Sequence, residues 1–171
     1  LRAADSAGVL RSLEVQARAA ARRGGGSVFY RRGDVDSDAA TGTRQVEALY
    51  RAPYLAHAAL EPINATAQVR DGRVDVWVPT QVPGLARALA ARVAGVPESA
   101  VTVHLTYLGG AFGRRLEAEV VGQVVRIAMD CGGRPVQLLW SREEDMGHDV
   151  YRPAGVALMQ ASLDERGQPL A

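Results

Sequence analysis

The sequence predicts an α+β fold: a mixed, largely antiparallel sheet with two or three packed helices. Three observations carry this prediction. Two β-type runs, 65–70 and 73–78, flank Asp71-Gly72, and Asp-Gly between such runs is the strongest short signal of an antiparallel hairpin. Helix-period apolar stripes follow, first Leu85, Leu89 and Val93, then Val120, Val121, Val124, Ala128 and Cys131. Strands and helices are thus mixed along 171 residues, a length suited to one ordinary domain, with an antiparallel hairpin that a doubly wound parallel sheet does not use.

Taken in order, 6–23 reads as a helix with Val9, Leu10, Leu13 and Ala17 on one stripe, ended by Gly24-Gly25-Gly26. A short strand is expected at 28–30 and a loop at 33–43, where Asp, Gly, Ser and Thr dominate. Strand character resumes over 46–54, with Pro53 marking an edge or an end. In the hairpin, Val74, Val76 and Val78 share one face while Asp75 and Trp77 share the other, so both faces are expected to be at least partly covered. Pro83 starts a helix that Gly95 and Pro97 stop. A strand at 135–140, a polar connection over 141–153, and a strand at 154–163 entering a turn at 164–167 complete the chain.

The stretch 101–131 organises the rest. Val101, Val103, Leu105 and Tyr107 alternate with polar residues as in a half-buried strand, Gly109-Gly110-Ala111-Phe112-Gly113 breaks it, and a helical period begins at Leu116. Strand, glycine loop and helix in that order can offer bare backbone N–H groups and a helix N-terminus to an anion. Arg114 and Arg115 are placed in or beside the first helical turn, where the helix dipole disfavours them unless an anion sits there. The loop lacks the Gly-Lys-Ser/Thr ending of a P-loop and the Gly-x-Gly-x-x-Gly spacing of a dinucleotide fold. Alone, such a glycine-rich strand-to-helix turn is more often plain geometry than a binding site.

Charge and composition exclude several classes. The net charge of +1 gives no electrostatic case for nucleic acid or a membrane surface. No run approaches the roughly 18 apolar residues of a membrane-spanning helix. The single cysteine, Cys131, forms no internal disulfide and is expected to be a buried, inert thiol. The three histidines, His57, His104 and His148, have no partner at metal-ligand spacing; His104 is expected to be exposed, and Glu143, Glu144, Asp145, His148 and Asp149 to form a solvated loop. Gln81 closes a strand just before a helix, where its carboxamide can point into a cleft or cap the helix. The chain begins with Leu1 and ends in a strand-like run, so it is expected to be a piece of a longer protein.

Four stretches together, YRAPYLAHAALEPINATA, VWVPTQ, TYLGGAFGRR and WSREEDMGHDVYRP, resemble the large, molybdenum-binding subunit of the xanthine dehydrogenase and aldehyde oxidase family. The resemblance is strongest to the branch of isoquinoline 1-oxidoreductase β subunits and membrane-associated aldehyde dehydrogenase large subunits. It runs from Val46 to about Asp164, with residues 1–45 a loosely matched helix and linker and 46–171 part of a molybdopterin-binding domain. The resemblance implies that Gly109, Gly110, Ala111, Phe112 and Gly113 lie against a molybdopterin cofactor, in its dinucleotide form, with Phe112 beside the metal centre. It implies that Gln81 hydrogen-bonds an oxygen ligand of molybdenum, and that Arg114 and Arg115 attend the cofactor's phosphates.

In purine-hydroxylating members the loop continues into Gly and Lys and then a glutamate that orients the purine. Here Arg114, Arg115 and Leu116 stand in those places, and Glu117 is one position off, about 100° around a helix. An apolar Leu116 in the substrate pocket implies an aldehyde or N-heteroaromatic substrate. The family's catalytic glutamate lies in a later segment, so no catalytic residue is expected here and the piece alone is expected to be inactive. Electrons would leave through a [2Fe–2S] cluster on a small iron–sulfur subunit, since this chain lacks the cysteines for one. The alternative is a non-catalytic binding or assembly module that keeps the fold.

Overall fold

A computed structural model of the chain describes residues 5–23, 26–33 and 35–170. The elements run α1 (Ser6–Arg23), α2 (Val35–Thr41), β1 (Arg44–Ala52), β2 (Asn64–Arg70), β3 (Arg73–Val78), α3 (Pro83–Ala94), β4 (Val101–Leu105), α4 (Glu119–Met129), β5 (Val136–Leu139), α5 (Arg142–Gly147) and β6 (Gly155–Leu163). They form two compact units, Leu1–Leu55 with Arg152–Ala171, and Ala56–Tyr151. The fold is α+β, and β3–β4 is the parallel pair among otherwise antiparallel ones.

In the first unit β1 and β6 pair antiparallel over their whole length, from Arg44 opposite Leu163 to Ala52 opposite Gly155. Helix α1 lies along β6. A two-stranded ribbon has little core of its own, and polar contacts do much of the holding. Glu14 on α1 accepts from Arg18 Nε at 3.2 Å and Arg51 Nε at 3.0 Å, and Arg18 reaches Glu47 at 3.1 Å. Ser162 is buried, donating to the Ala39 carbonyl and accepting from Gln45 Nε2, each at 3.0 Å. It packs so closely on Gly42 that a Cβ there would lie 1.7 Å from its Oγ.

The second unit holds a four-stranded sheet in the order β4-β3-β2-β5. The hairpin forms as the sequence predicts, with Arg70 opposite Arg73 and both Asp71 and Gly72 at positive φ. Helix α3 links the parallel strands; Pro83 opens it and Gly95, at φ 69°, closes it in the left-handed conformation. Helices α3 and α4 cover one sheet face, and the core is almost wholly Val and Ala. Ala65 and Ala67 of β2 lie under Val121, Val124 and Val125 of α4, and small side chains let the helix sit close. Each buried Val contributes about 1.5 kcal/mol or more. On the other face Trp77 stacks on His104 with ring centroids 4.7 Å apart, and His104 Nε2 meets Asp75 Oδ1 at 2.7 Å. That face is half-covered, as its tryptophan implied, and His104 is engaged rather than simply exposed.

Several expectations are corrected. Residues 28–30 form no strand, and Val28, Phe29 and Tyr30 are exposed. The loop expected over 33–43 contains α2, and the polar connection contains α5, capped by Ser141 Oγ accepting from Glu144 N at 3.1 Å. Ser-x-x-Glu is a helix-start signature. Strand β4 ends at Leu105, leaving Tyr107 fully exposed. Helix α4 starts at Glu119, three residues after the expected Leu116, and stops at Met129, so Cys131 lies past its end and is half-buried. Gly24 and Gly25 lie outside the described residues.

Candidate functional site

The parallel pairing of β3 with β4 puts Val78 beside Leu105, so the chain leaves both strands at the same end of the sheet. The carboxyl end of adjacent parallel strands is where open α/β sheets form ligand crevices. From β3 the chain passes through Pro79, Thr80 and Gln81; from β4 it enters the glycine loop. Gln81 N donates to the Arg115 carbonyl at 3.0 Å, and Thr80 Oγ1 donates to the same oxygen at 3.2 Å. Two segments that the sequence singles out separately are therefore stitched together. The helix-capping alternative for Gln81 falls: the N-cap of α3 is Val82, no side chain caps it, and Gln81 is exposed.

The loop is a run of sharp turns. Gly110 has φ 108°, Phe112 φ 53° and Gly113 φ 100°. Positive φ in Phe112 is strained for a non-glycine residue. Gly109 is required by space: a Cβ there would lie 2.4 Å from Glu61 Cβ. Glu61 fastens this point from both directions, its Oε2 accepting from Gly109 N at 2.8 Å and its own N donating to the Gly109 carbonyl at 3.0 Å. The N–H groups of Gly110, Ala111, Phe112 and Gly113 donate to no other group among the described residues. Phe112 and Leu116 stay largely exposed.

Between the loop and α4 stands a single 3₁₀ turn, Arg114–Leu116, instead of the expected first helical turn. Both arginines on it point inward and are buried to 2% exposure. Arg115 spreads its guanidinium over the carbonyls of Gly110 (3.0 Å), Pro79 (3.3 Å) and Glu61 (3.0 Å), and pairs with Glu61 Oε2 at 2.8 Å. Burial lowers the pKa of Arg115, and the carboxylates of Glu61 and Asp145 oppose that. Arg114 pairs with Glu119 and lies 3.2 Å from Asp149 Oδ1, with its guanidinium carbon 5.7 Å from the Trp140 ring centre. Its Nη1 and Nε, like Glu119 Oε2, have no aligned hydrogen-bond partner.

Sequence reasoning missed the frame beneath the loop. Residues 57–62 are irregular, with Ala58 at φ 44°, and side chains distant in sequence satisfy them. Arg142 Nη2 donates to the carbonyls of Ala59 (2.7 Å) and Leu60 (2.8 Å) while its Nη1 holds buried Asp145 at 2.6 Å. Asp149 accepts from His57 N at 2.6 Å and from His57 Nδ1 at 2.9 Å. Thus the side chains of Asp145 and Asp149 are buried, contrary to the solvated loop expected of the acidic cluster, while Glu143, Glu144 and His148 are exposed as expected. The available signal was the crowding of Arg, Glu and Asp in the SREED stretch, with His57 and Glu61 in HAALEP, both in stretches that carry the family resemblance.

The chain belongs to the molybdopterin cofactor-binding domain family, whose pattern matches residues 20–171. It is similar to the isoquinoline 1-oxidoreductase subunit beta of Brevundimonas diminuta, at 34% identity over 125 residues, covering 72% of this chain and 15% of that protein. It is also similar to the membrane-bound aldehyde dehydrogenase (pyrroloquinoline-quinone) of Gluconacetobacter polyoxogenes, at 30% identity over 142 residues, covering 83% of this chain and 18% of that one. Its fold is shared with the crystal structure of quinoline 2-oxidoreductase from Pseudomonas putida 86, with a TM-score of 0.59 at 23% identity over 78% of this chain and 17% of that one. The chain thus spans less than a fifth of each of these relatives.

The residues present fit such a cofactor. Four consecutive free N–H groups on a pinned loop suit a ligand bearing oxo or phosphate oxygens. Among the described residues no three His, Cys, Asp or Glu side chains are grouped to hold a metal ion. No helix among them is long and apolar enough to cross a membrane.

Proposed function

We propose that this chain supplies one wall of the active site in the large subunit of a molybdenum hydroxylase acting on an aldehyde or N-heteroaromatic substrate. The observation that carries the reading is the set of unused N–H groups at 110–113, on a loop held open at the end of the parallel strand pair. When bound, molybdopterin, in its dinucleotide form, would supply the two-electron chemistry by which a water-derived oxygen is added to the substrate. The protein's part is orientation and electrostatics.

Gly110, Ala111, Phe112 and Gly113 present backbone donors to the cofactor, Gly109 lies against it with its N–H held by Glu61, and Gln81 offers its exposed carboxamide from the adjoining segment. Arg115 serves the cofactor by holding the loop, and Arg114 sits beside it paired with Glu119 and Asp149, both guanidinium groups facing inward. Leu116 and Phe112 give the substrate side an apolar surface that excludes water and suits a substrate without the polar edge of a purine. Residues 46–171 form part of the cofactor domain, with 1–45 as its leading helix and linker; the general base comes from elsewhere in the subunit, and electrons pass to a [2Fe–2S] partner subunit.

The test is molybdenum content by elemental mass spectrometry on the full-length polypeptide co-expressed with its iron–sulfur partner. Near-stoichiometric molybdenum is expected. A metal-free polypeptide from a host that loads other molybdenum enzymes would overturn the reading and leave a non-catalytic module.

A further inference from the structure

His57 plays no part in the function just described, yet its placement is that of a ligand-binding group. Its side chain is 9% exposed and that of Asp149 3%. Both oxygens of Asp149 are committed to it, one to the backbone N and one to ring Nδ1. A carboxylate facing Nδ1 requires a proton on that nitrogen, so the neutral ring presents Nε2 as a bare acceptor. Nε2 has no hydrogen-bond partner among the described residues. It faces Gly113, where a Cβ would lie 3.6 Å away, at the end of the run of free N–H groups. The imidazole is thus nine-tenths buried with Nδ1 pinned, while Nε2 is left open beside the loop, where a ligand can reach it.

We propose that His57 Nε2 accepts a hydrogen bond from an N–H or O–H donor of the ligand held by the glycine loop, and that Asp149 is the positioning residue that sets its tautomer. The proposal rests on the cofactor reading above, under which the donor is an N–H of the pterin ring system. The loop then recognises its ligand in two senses, with donors at 110–113 for the ligand's oxygens and one acceptor, His57 Nε2, for an N–H. Arg114 is attracted to the same carboxylate at 3.2 Å and cannot take the acceptor role, having no lone pair.

Two substitutions in the full-length polypeptide separate this role from a merely structural one. In His57→Asn the carboxamide keeps an N–H toward Asp149 and removes the atom at Nε2. In His57→Gln the carboxamide oxygen reaches the place of Nε2 and the link to Asp149 is lost. Pterin and molybdenum per polypeptide, together with the unfolding temperature, are the readouts.

The expected result is that His57→Asn unfolds within about 2 °C of wild type but carries about tenfold less pterin, while His57→Gln keeps about half or more of the wild-type load per folded molecule. A purely structural histidine gives the reverse order, with Asn benign and Gln harmful, and that outcome overturns the proposal. Should His57→Asn fail to fold, His57→Gln decides alone, its retained or lost pterin supporting or overturning the role. Wild-type protein without pterin would sink the cofactor reading and this assignment with it; full loading of His57→Asn sinks this assignment only.

Discussion

Two regions of the second unit are built on opposite principles. Under α3 and α4 the chain buries Val and Ala against regular strands, and the backbone there pairs within its helices and the sheet ladder. A few residues further on, at the strand ends, the backbone of 57–62 and 109–113 is irregular, and its carbonyls are satisfied by Arg115 and Arg142. The first region resists change through many small, interchangeable contacts. The second depends on a few charged groups with no substitutes. A loop that keeps its N–H groups unpaired cannot be regular structure; here the guanidinium groups of Arg115 and Arg142 hold it and the segment beneath it in one shape.

That contrast can be broken most directly at Arg115. Replacing it with Met takes the only cation from the Glu61 carboxylate among its described partners and the guanidinium donors from the carbonyls of Gly110, Pro79 and Glu61, and a loss of about 3–5 kcal/mol in chemical denaturation is expected. Lys should recover little, because one ammonium cannot reproduce the planar fork. A loss below about 1 kcal/mol for Arg115→Met would mean that the loop frame is held by something else.

The core should lose less for a fully buried residue. Val124→Ala in α4 is expected to cost about 2 kcal/mol in the same measurement, because the cavity is small and its Ala and Val neighbours can close on it. Gly109→Ala should cost a comparable 1–3 kcal/mol or so by forcing Glu61 aside, but it should also lower the pterin load, which Val124→Ala should not. Equal loading of the two variants would show that loop shape and cofactor retention are uncoupled.

The smallest effect is expected in the first unit, whose charges lie at the surface. The hydrogen bond from Arg51 is the main influence lowering the Glu14 pKa below its ordinary 4.5. A depressed carboxylate pKa contributes stability above its unfolded value, and that contribution disappears as pH falls through the folded value. Thermal stability should therefore fall slightly below about pH 4.5 in wild type and less so in Glu14→Gln, with the difference shrinking in high salt. An identical pH profile in both proteins would remove Glu14 from the account of this unit.

How much of this was legible beforehand depended on sequence distance. Asp71-Gly72 settles the hairpin register because turn and strands are contiguous, and Pro83 and Gly95 bound α3 through their own backbone preferences. The position of the glycine loop was visible, and so was Gln81. The inward turn of Arg114 and Arg115 was not, because the groups that draw them in lie elsewhere: Glu61 is 54 positions before Arg115, and Asp149 is 92 positions after the histidine it holds. Short α2 and α5 were read as loops because six or seven residues with little apolar periodicity cannot form a helix alone. Only the Ser141 and Glu144 pair recorded α5 locally.

By itself, then, the sequence determined the α+β class, the hairpin, the two core helices and the glycine loop, all of which follow from periodicity and from the φ preferences of Gly and Pro within a few residues. The tertiary structure alone decided which charged groups are buried, which N–H groups stay free, and that His57 leaves Nε2 facing the loop. Those features depend on desolvation and on partners brought together from distant segments, and no local pattern encodes either.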